Sequence, residues 1–309
     1  MSYNLDDKLV IAVASSALFN LTDSDKVFRE KGAEAYRKYC LQKQDIPFKP
    51  GVAFPFIRRL LSINKRFNTH PIEVVLLSRN TPETGMRVFN SFKHYDLDII
   101  RAGFLSGKSP GPYLPAFNTA LFLSGNPEDV KEAIDAGHAA GTVMGNASND
   151  NEDDDELRVA FDFDGVIVDD AAEKVYQQYD LDTFQENETA LENEALDPGP
   201  LYKLMKHLAK FQKIERMQEK KVSGYKRFLR TSIVTARSAP AHARAINTLK
   251  KLHINVDEAF FLGGIEKGKI LEVMRPHIFF DDQLGHLKSS MGKHIPSVHI
   301  PFGISNKEK

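Results

Sequence analysis

The stretch VAFDFDGVIVDD (residues 159–170) reads as a buried strand that runs into a tight turn and carries two acids there. Asp162 and Asp164 are two positions apart, so both side chains point to the same side if the extended backbone continues. Two carboxylates this close repel each other unless a cation or a shared proton relieves them. Gly165 lets the chain turn sharply directly after them. The stretch therefore predicts a strand whose carboxyl end carries chemistry.

A similar apolar strand followed by a turn occurs earlier in the chain, without the acids, as IAVASSALF (residues 11–19). With an offset of 148 (162 − 14), the two halves align without a gap over residues 9–61. The offset then becomes 158 and settles at 157, where AGFLSGKSPG (102–111) lies over AFFLGGIEKG (259–268). Matches in several windows in the same order indicate an internal duplication.

Each copy alternates apolar strands with helical stretches, which is typical of a parallel sheet with right-handed crossovers. The predicted fold class is therefore α/β, with two tandem Rossmann-like parallel-sheet units. We expect the first unit over residues 1–144 and the second over 157–309. The polar run GNASNDNEDDDE (145–156) is predicted to be an acidic linker, because it has almost no apolar surface to bury. A helical insertion at about 171–230 is predicted to form a small cap on the second unit.

Composition and charge exclude several classes of protein. The net charge is −1 and the pI about 6.8, so there is no electrostatic footprint for a nucleic acid polymer. No segment approaches the roughly 18 apolar residues that a membrane helix needs. The apolar run at residues 9–19 follows acidic residues instead of a basic region, which argues against a signal peptide. Cys40 is the single cysteine, so no disulfide or thiolate cluster can form. We therefore expect a cytoplasmic protein.

Three further strand ends of the second half carry polar groups. Thr235 ends one strand, ahead of a helix for which Ser238 is the predicted N-cap, and a hydroxyl beside helix N–H groups is a good seat for an anion. Lys267 follows the next strand. Asp281 and Asp282 follow the apolar run HIFF, a costly position for charge unless a metal or hydrogen bonds compensate. Each group alone also fits a solvated or capping role; together they predict one site at the carboxyl edge of the sheet.

A resemblance to a known family covers nearly the full chain. The order DFDGV, Thr, Lys and DD resembles the haloacid dehalogenase-like phosphohydrolase superfamily. The runs AFPF, HYDL, LRVAFD, VTARSA and RPHIFFDDQ are similar, more narrowly, to the cytosolic 5′-nucleotidase type I family. The resemblance implies a haloacid dehalogenase-like fold in each unit. It also implies Mg²⁺-dependent hydrolysis of nucleoside 5′-monophosphates, AMP favoured, through an aspartyl-phosphate intermediate.

The resemblance also implies a role for each candidate residue. Asp162 is the expected nucleophile, which needs positioning and charge neutralisation more than a base. Asp164 is expected to protonate the leaving ribose oxygen and then to deprotonate the attacking water, which calls for a pKa near neutrality. Thr235, Ala236 and Lys267 are expected to bind the phosphate oxygens.

For Mg²⁺ the expected ligands are all oxygens: the Asp162 carboxylate, the Asp164 backbone carbonyl and one of Asp281 or Asp282. Asp281 is slightly favoured, although the sequence does not separate the pair. The histidines show no metal-ligand spacing and are expected at the surface or at helix caps; these are His242, His253, His277 and His286.

The first half lacks this set. Ala14 and Ser16 stand where the second half has its acid pair, and Pro110 stands where it has its lysine. The first unit is therefore predicted to be a degenerate, non-catalytic copy, with either a structural role or a bound regulatory nucleotide. Two alternatives to the nucleotidase stay open: a sugar-phosphate phosphatase of the same superfamily, or a nucleotide-binding regulatory protein. A duplicated chain is also compatible with homo-oligomers.

Overall fold

The chain consists of two compact units, Met1–Asn149 and Asp150–Lys309, in a computed structural model. The structure describes residues 3–67, 69–145, 150–179 and 181–306. Residues 146–149 of the predicted linker lie outside the described residues. Further along that acidic run, Asp154 and Glu156 bind the guanidinium of Arg158 at 2.7 and 2.8 Å, so these two acids are used in ion pairs.

The first unit has five parallel strands in the order β7-β6-β1-β4-β5, and a short antiparallel pair, β2 with β3. Its elements are β1 (Leu9–Val13), α1 (Ser15–Leu18), β2 (Phe19–Asn20), α2 (Thr22–Gln42), β3 (Lys49–Pro50), α3 (Phe54–Ser62), β4 (Ile72–Ser78), α4 (Met86–His94), β5 (Arg101–Phe104), β6 (Leu121–Ser124), α5 (Pro127–Asp135) and β7 (Ala140–Met144). Short 3₁₀ helices lie at Ile63–Arg66, Gly111–Tyr113 and Pro115–Phe117.

The second unit has five parallel strands in the order β10-β9-β8-β11-β12. Its elements are β8 (Leu157–Phe161), α6 (Ala171–Gln178), α7 (Leu181–Ala190), α8 (Tyr202–Lys221), β9 (Leu229–Thr235), α9 (His242–Lys251), β10 (Glu258–Phe261), α10 (Lys267–Met274), β11 (Ile278–Asp281), α11 (Leu284–Met291) and β12 (Ser297–His299), followed by a 3₁₀ turn at Ile304–Asn306.

The central strands are the most buried elements of each sheet. Every residue of β1 is buried, and β8 is buried except for the partly exposed Arg158. Continuous apolar runs of this kind are expected for parallel strands that are covered on both faces. The prediction of an α/β fold with a mostly parallel sheet is confirmed.

The strand order of the second unit locates its ligand-binding edge. From β8 the chain first adds β9 and β10 on one side of the sheet. It then returns to add β11 and β12 on the other side, so the direction of winding reverses between the neighbouring strands β8 and β11. Ligands of such sheets bind outside the carboxyl ends of the strands at this reversal. Both strands end in acids of the predicted site. Among the described residues, no helix combines the length and the apolar character needed to cross a membrane.

Candidate active site

A pocket of about 380 Å³ opens at the carboxyl ends of the second unit's strands. Four of the residues predicted from the sequence line it: Asp162, Asp164, Thr235 and Ala236. The pocket is also lined by Ala172, Glu173, Tyr176, Leu181, Phe184, Arg237, Ser238, Gly263, Gly264, Gln283 and His286. The other predicted residues lie behind Asp162 and contact it or one another. The parallel sheet thus brings together groups that are up to 120 residues apart in the chain (282 − 162).

Asp162 is a buried carboxylate held in a fixed position. Its backbone N–H donates to the carbonyl of Phe280 on the neighbouring strand at 2.8 Å. Its Oδ1 accepts the N–H of Phe163 at 2.7 Å, and Lys267 Nζ lies 2.9 Å from its Oδ2. Burial raises the pKa of Asp162 to about 7, although the Lys267 ammonium opposes that shift. The side chain is therefore oriented by donors on both oxygens.

Lys267 opens α10 and is itself almost completely buried, at 2% exposure. Its Nζ lies 2.7 Å from Asp281 Oδ2 and so bridges Asp281 to Asp162. Burial alone would lower the pKa of Lys267, but the two carboxylates outweigh it and raise the pKa above its usual range. The ammonium is thus charged, and it compensates the buried acids.

Asp281 has its oxygens occupied by protein donors. Besides Lys267, it accepts the backbone N–H of Gln283 at 2.8 Å, and His286 Nδ1 lies 3.3 Å from its Oδ1. Burial opposes the ionised form, yet Lys267 and His286 hold the pKa of Asp281 below its usual range. Ligand atoms of Asp162, Asp281 and His286 lie within 4.8 Å of one another, but the Lys267 ammonium already bridges the two acids of this group.

Asp282, the next residue, has surroundings unlike those of Asp281. It is 3% exposed, and its Oδ1 has no hydrogen-bond partner in the described part of the chain. Burial raises the pKa of Asp282 to about 9, and the Asp162 and Asp281 carboxylates add to the shift. A buried oxygen without a donor, beside other carboxylates, is the arrangement that a hard divalent cation satisfies. The residues present therefore fit a hard cation at Asp282, which feels the charge of both the Asp162 and the Asp281 carboxylates.

Gly165 permits this arrangement. Its φ is +69°, and a Cβ built on it would lie 2.7 Å from Asp282 Oδ2. Any side chain at this position would both strain the backbone and collide with the carboxyl group. The sequence prediction of a sharp turn at Gly165 is confirmed, and the turn is what lets Asp282 approach the Asp162–Asp164 loop.

Asp164 belongs to a separate ion-pair network. Arg237 donates to both of its oxygens, with Nε to Oδ2 and Nη2 to Oδ1 each at 2.7 Å. The same guanidinium bonds to Glu188, a completely buried residue of α7, which also accepts from Arg244 Nη1 at 2.7 Å. Bidentate pairs of this kind fix both partners in one orientation. Asp164 is therefore positioned from the insertion between β8 and β9.

Thr235 ends β9 as predicted and is 1% exposed. Its Oγ1 accepts the backbone N–H of Arg237 at 3.2 Å, which closes a turn over Ala236. Both residues line the pocket. A hydroxyl and the backbone of a tight turn at a strand end suit an oxygen-rich ligand.

The predicted helix start after this strand is wrong. The helix α9 begins at His242, and its N-cap is Ala241, not Ser238. The Ser238 hydroxyl contacts the Ala239 carbonyl at 3.4 Å instead of a helix N–H. A turn over residues 239–241 comes first, and the His242 N–H closes it onto the Ser238 carbonyl at 3.0 Å. The predicted anion seat therefore has strand-end groups at Thr235 and Ala236 and lies several residues before the start of the helix.

One wall of the pocket is apolar and comes from α6 and α7. Tyr176 and Phe184 face each other edge to face, with ring centroids 5.8 Å apart, and Leu181 lies beside them. Helix α8, in contrast, buries Leu204 and Leu208 and packs against β9. Among the described residues of the segment 171–230, those that line the pocket lie in α6 and α7, and these two are named the cap helices.

Sequence reasoning missed Arg237, Glu188 and His286. Arg237 lies within the VTARSA run, two residues after a strand end, and that position was a usable signal. Glu188 lies in a polar stretch, DTFQENET, whose pattern does not mark one residue as buried. His286 is predicted at the surface, but its ring lines the pocket and contacts Asp281 because the helix α11 starts directly after the acid pair. His277 is buried as well, at 7% exposure.

Comparisons with known proteins agree on one family. A model of the 5′-nucleotidase family matches residues 1–307 of the chain. The chain is 37% identical over 292 residues to cytosolic 5′-nucleotidase 1B of Homo sapiens. That alignment covers 91% of the chain and 47% of the human protein, so the chain spans about half the length of this curated relative.

Proposed function

Because the chain belongs to the 5′-nucleotidase family, we propose that its second unit is a Mg²⁺-dependent phosphomonoesterase. The proposed substrates are nucleoside 5′-monophosphates, AMP favoured, and the products are a nucleoside and phosphate. One observation carries the proposal: Asp162 is held by Lys267 at 2.9 Å, and Asp282, whose pKa the Asp162 carboxylate helps to raise, has an oxygen without a partner among the described residues. A fixed carboxylate nucleophile, a cation and a vacant oxygen ligand are what phosphoryl transfer requires.

The proposed first step is attack by an Asp162 carboxylate oxygen on phosphorus. The new oxygen–phosphorus bond forms as the bond from phosphorus to the ribose O5′ breaks, and Asp164 gives its proton to O5′. The nucleoside leaves, and the phosphoryl group stays on Asp162. Thr235, the Ala236 N–H and Lys267 hold the phosphoryl oxygens and offset their charge.

The second step returns the enzyme to its starting state. Asp164 takes a proton from water, the water oxygen attacks phosphorus, and the bond to Asp162 breaks with release of phosphate. Arg237 holds the Asp164 carboxylate in place through this half of the reaction, when that carboxylate is ionised.

Asp162, the Asp164 backbone carbonyl and Asp282 are the proposed holders of Mg²⁺. The ion neutralises charge on the phosphoryl oxygens. We assign the third position to Asp282 in preference to Asp281, because Asp281 already has three protein partners in Lys267, Gln283 and His286, whereas one oxygen of Asp282 has none among the described residues. This choice reverses the slight preference for Asp281 drawn from the sequence.

The assignment of the metal ligand makes opposite predictions for the two adjacent acids. We expect Mg²⁺ to stabilise the unsubstituted chain, by about 2.7 kcal/mol when Mg²⁺ is at about 100 times its Kd. Asp282→Asn is expected to lose this increment and to raise the melting temperature in EDTA, because burial raises the pKa of Asp282 to about 9 and the carboxyl must therefore take up a proton on folding near pH 7, a cost that the amide does not have. Asp281→Asn is expected to lower stability in EDTA by about 3 kcal/mol, because it takes a partner from the buried Lys267.

Thermal unfolding of the two variants, each with Mg²⁺ and with EDTA, measures these effects without reference to activity. If Asp281→Asn loses the Mg²⁺ increment and Asp282→Asn keeps it, Asp281 is the ligand and the assignment fails.

The substrate class rests on the cap helices. Tyr176 and Phe184 present aromatic surface to the pocket, which suits a base or ribose more than a small sugar phosphate. We expect Mg²⁺-dependent phosphate release that is concentrated on nucleoside 5′-monophosphates and fastest with AMP. A panel of nucleoside monophosphates and sugar phosphates, with Mg²⁺ and with EDTA, measures it. Release mainly from sugar phosphates would keep the mechanism and overturn the substrate class; no release from any compound would leave a nucleotide-binding regulatory protein.

We also propose that the two units are haloacid dehalogenase-like copies from an internal duplication. Their strand orders agree, and the strand pairs from β4 with β9 onward begin at a constant offset of 157 (229 − 72, 258 − 101, 278 − 121). Gly51 lies against the backbone of Leu18 and Phe19, and Gly199 against that of Val168, each with room for no Cβ. The first unit has Ala14 and Ser16 where the second has its acid pair, so we regard it as non-catalytic.

The human relative is named as a cytosolic protein, and we propose the cytoplasm for this chain as well. The neutral net charge argues for a small-molecule substrate and against a nucleic acid polymer. Assembly into homo-oligomers stays a prediction from the sequence. The proposed linker over residues 145–156 contains the point at which the two compact units divide.

A further inference from the structure

The first unit has a cleft of its own, with a volume of about 1040 Å³. The cleft lies at the carboxyl ends of β1, β4, β5 and β6, and α2 supplies one wall. This is the position at which open α/β sheets bind their ligands, and the volume is that of a small-molecule site. The catalytic assignment of the second unit uses none of these residues.

Two serine hydroxyls form the polar floor of the cleft. Ser15 and Ser78 are 5% and 2% exposed, and each hydroxyl donates to Asn80 Oδ1, at 2.9 and 2.6 Å. The Asn80 amide donates in turn to the Tyr36 hydroxyl at 2.9 Å, which fixes its orientation. The two hydroxyls also contact each other at 2.9 Å, and Ser78 Oγ accepts the Asn80 N–H at 3.4 Å. Each hydroxyl oxygen has two lone pairs, so the serine pair still has lone pairs for a further donor. The floor therefore suits a ligand that carries hydroxyl groups.

The wall formed by α2 is aromatic. Phe28 and Tyr36 lie edge to face with ring centroids 5.6 Å apart, and both line the cleft. Phe28 leaves 52% of its surface exposed, which is unusual for so large an apolar side chain. An aromatic face that borders a cleft is a stacking platform for a planar ring.

The charges of the cleft disfavour a phosphate. Its described lining contains four acids and two arginines; the acids are Asp25, Glu34, Glu83 and Asp129. Both arginines are already bound, Arg37 by Glu83 at 2.6 Å and Arg79 by Asp129 at 2.8 Å. No lysine is among these lining residues. A phosphate would therefore enter a net negative site and find each described cation taken, which argues against the regulatory nucleotide predicted from the sequence.

We propose that this cleft binds a nucleoside: an uncharged ligand with a planar base against Phe28 and sugar hydroxyls toward Ser15 and Ser78. The aromatic wall favours a planar ring, the serine floor can accept hydrogen bonds from hydroxyl groups, and the negative charge of the lining disfavours an anion. Together these features select an uncharged ligand that has an aromatic ring and several hydroxyl groups. The choice of a nucleoside among such molecules rests on the proposed function, because the second unit would release one at every turnover. The first unit then senses the product of the second and discriminates it from the substrate by the missing phosphate.

Calorimetric titration of the full chain with adenosine tests the proposal, since adenosine has no phosphate to lose. Phe28→Ala is expected to weaken one class of adenosine sites about tenfold or more, while the fold is kept because the ring is half exposed. Phe184→Ala, which removes an aromatic residue of the second unit's pocket, is the matched control and should leave that class intact. In a Phe184→Ala chain that also carries Asp162→Asn and therefore does not hydrolyse AMP, AMP should displace adenosine from the cleft at least about tenfold less well than adenosine itself.

Three results would overturn the proposal: no adenosine binding at millimolar concentration, binding that Phe28→Ala leaves unchanged, or AMP that competes as well as adenosine. Phosphate release is measured separately on the same chains. If the chain hydrolyses AMP but binds no adenosine through Phe28, the nucleoside site in the cleft is rejected and the proposed function stands. If the chain binds adenosine through Phe28 but hydrolyses no substrate, the proposed function is rejected and the nucleoside site stands.

Discussion

Asp162→Asn is expected to lower phosphate release by roughly 10⁴- to 10⁶-fold, as the loss of a nucleophile does in other covalent mechanisms. The amide has the same shape as the carboxylate but cannot form the bond to phosphorus. Its oxygen can still accept from Lys267, and Asp281 remains 2.7 Å from that ammonium. We therefore expect a folded protein whose chemical step is lost. Steady-state phosphate release and a thermal melt of the same sample measure the two properties.

The matched control is Asp155→Asn, an exposed acid a few residues upstream, which should leave both activity and stability unchanged. Activity of Asp162→Asn within tenfold of the unsubstituted chain would contradict the mechanism. If Asp162→Asn fails to fold, the same measurements are made on Asp162→Ser, which also lacks the carboxylate.

Glu188→Ala is expected to produce the largest loss of stability, about 3–5 kcal/mol. Glu188 is completely buried and binds the guanidinium groups of Arg237 and Arg244. Its Oε1 lies 2.7 Å from Arg244 Nη1. Without it, Arg244 is left mostly buried with no carboxylate partner among the described residues, and Arg237 keeps Asp164 and the Ala241 carbonyl. Activity should fall as well, because the network that orients Asp164 is broken. Urea unfolding of the full chain measures the free energy of unfolding.

Glu186→Ala on the same helix is the control, since that residue is exposed and its loss should change stability by no more than about 0.5 kcal/mol. Glu188→Gln should lie between the two, because it keeps hydrogen bonds but not the charge. If Glu188→Ala is as stable as Glu186→Ala, the buried network does not support the cap helices, and the positioning of Asp164 needs another explanation.

Much of the candidate site follows from the sequence because its chemistry sits at strand ends. Apolar runs identify the strands, and Asp162, Thr235 and Asp281 come at their carboxyl ends, which parallel pairing brings to one edge. The order of these groups was enough to indicate a phosphatase-like site. The role of Lys267 is harder to predict, because a single lysine after a strand is equally compatible with a side chain that points into solvent.

The remaining features depend on packing between distant segments. Arg237 meets Asp164 across 73 residues and Glu188 across 49, and no local pattern encodes either contact. Asp281 and Asp282 differ only in what faces them: Lys267 and His286 occupy the first, while one oxygen of the second has no described partner. Two neighbouring residues with the same side chain can be told apart only once these surroundings are known.

The steric course at phosphorus tests the central claim most directly. A thiophosphate analogue of AMP, made chiral at phosphorus with oxygen isotopes, is hydrolysed by the unsubstituted chain in isotopically labelled water, and the configuration of the released thiophosphate is determined. Attack by Asp162 followed by attack of water makes two in-line displacements, so the account predicts overall retention. Overall inversion would mean that water attacks the substrate directly and that Asp162 is not the nucleophile.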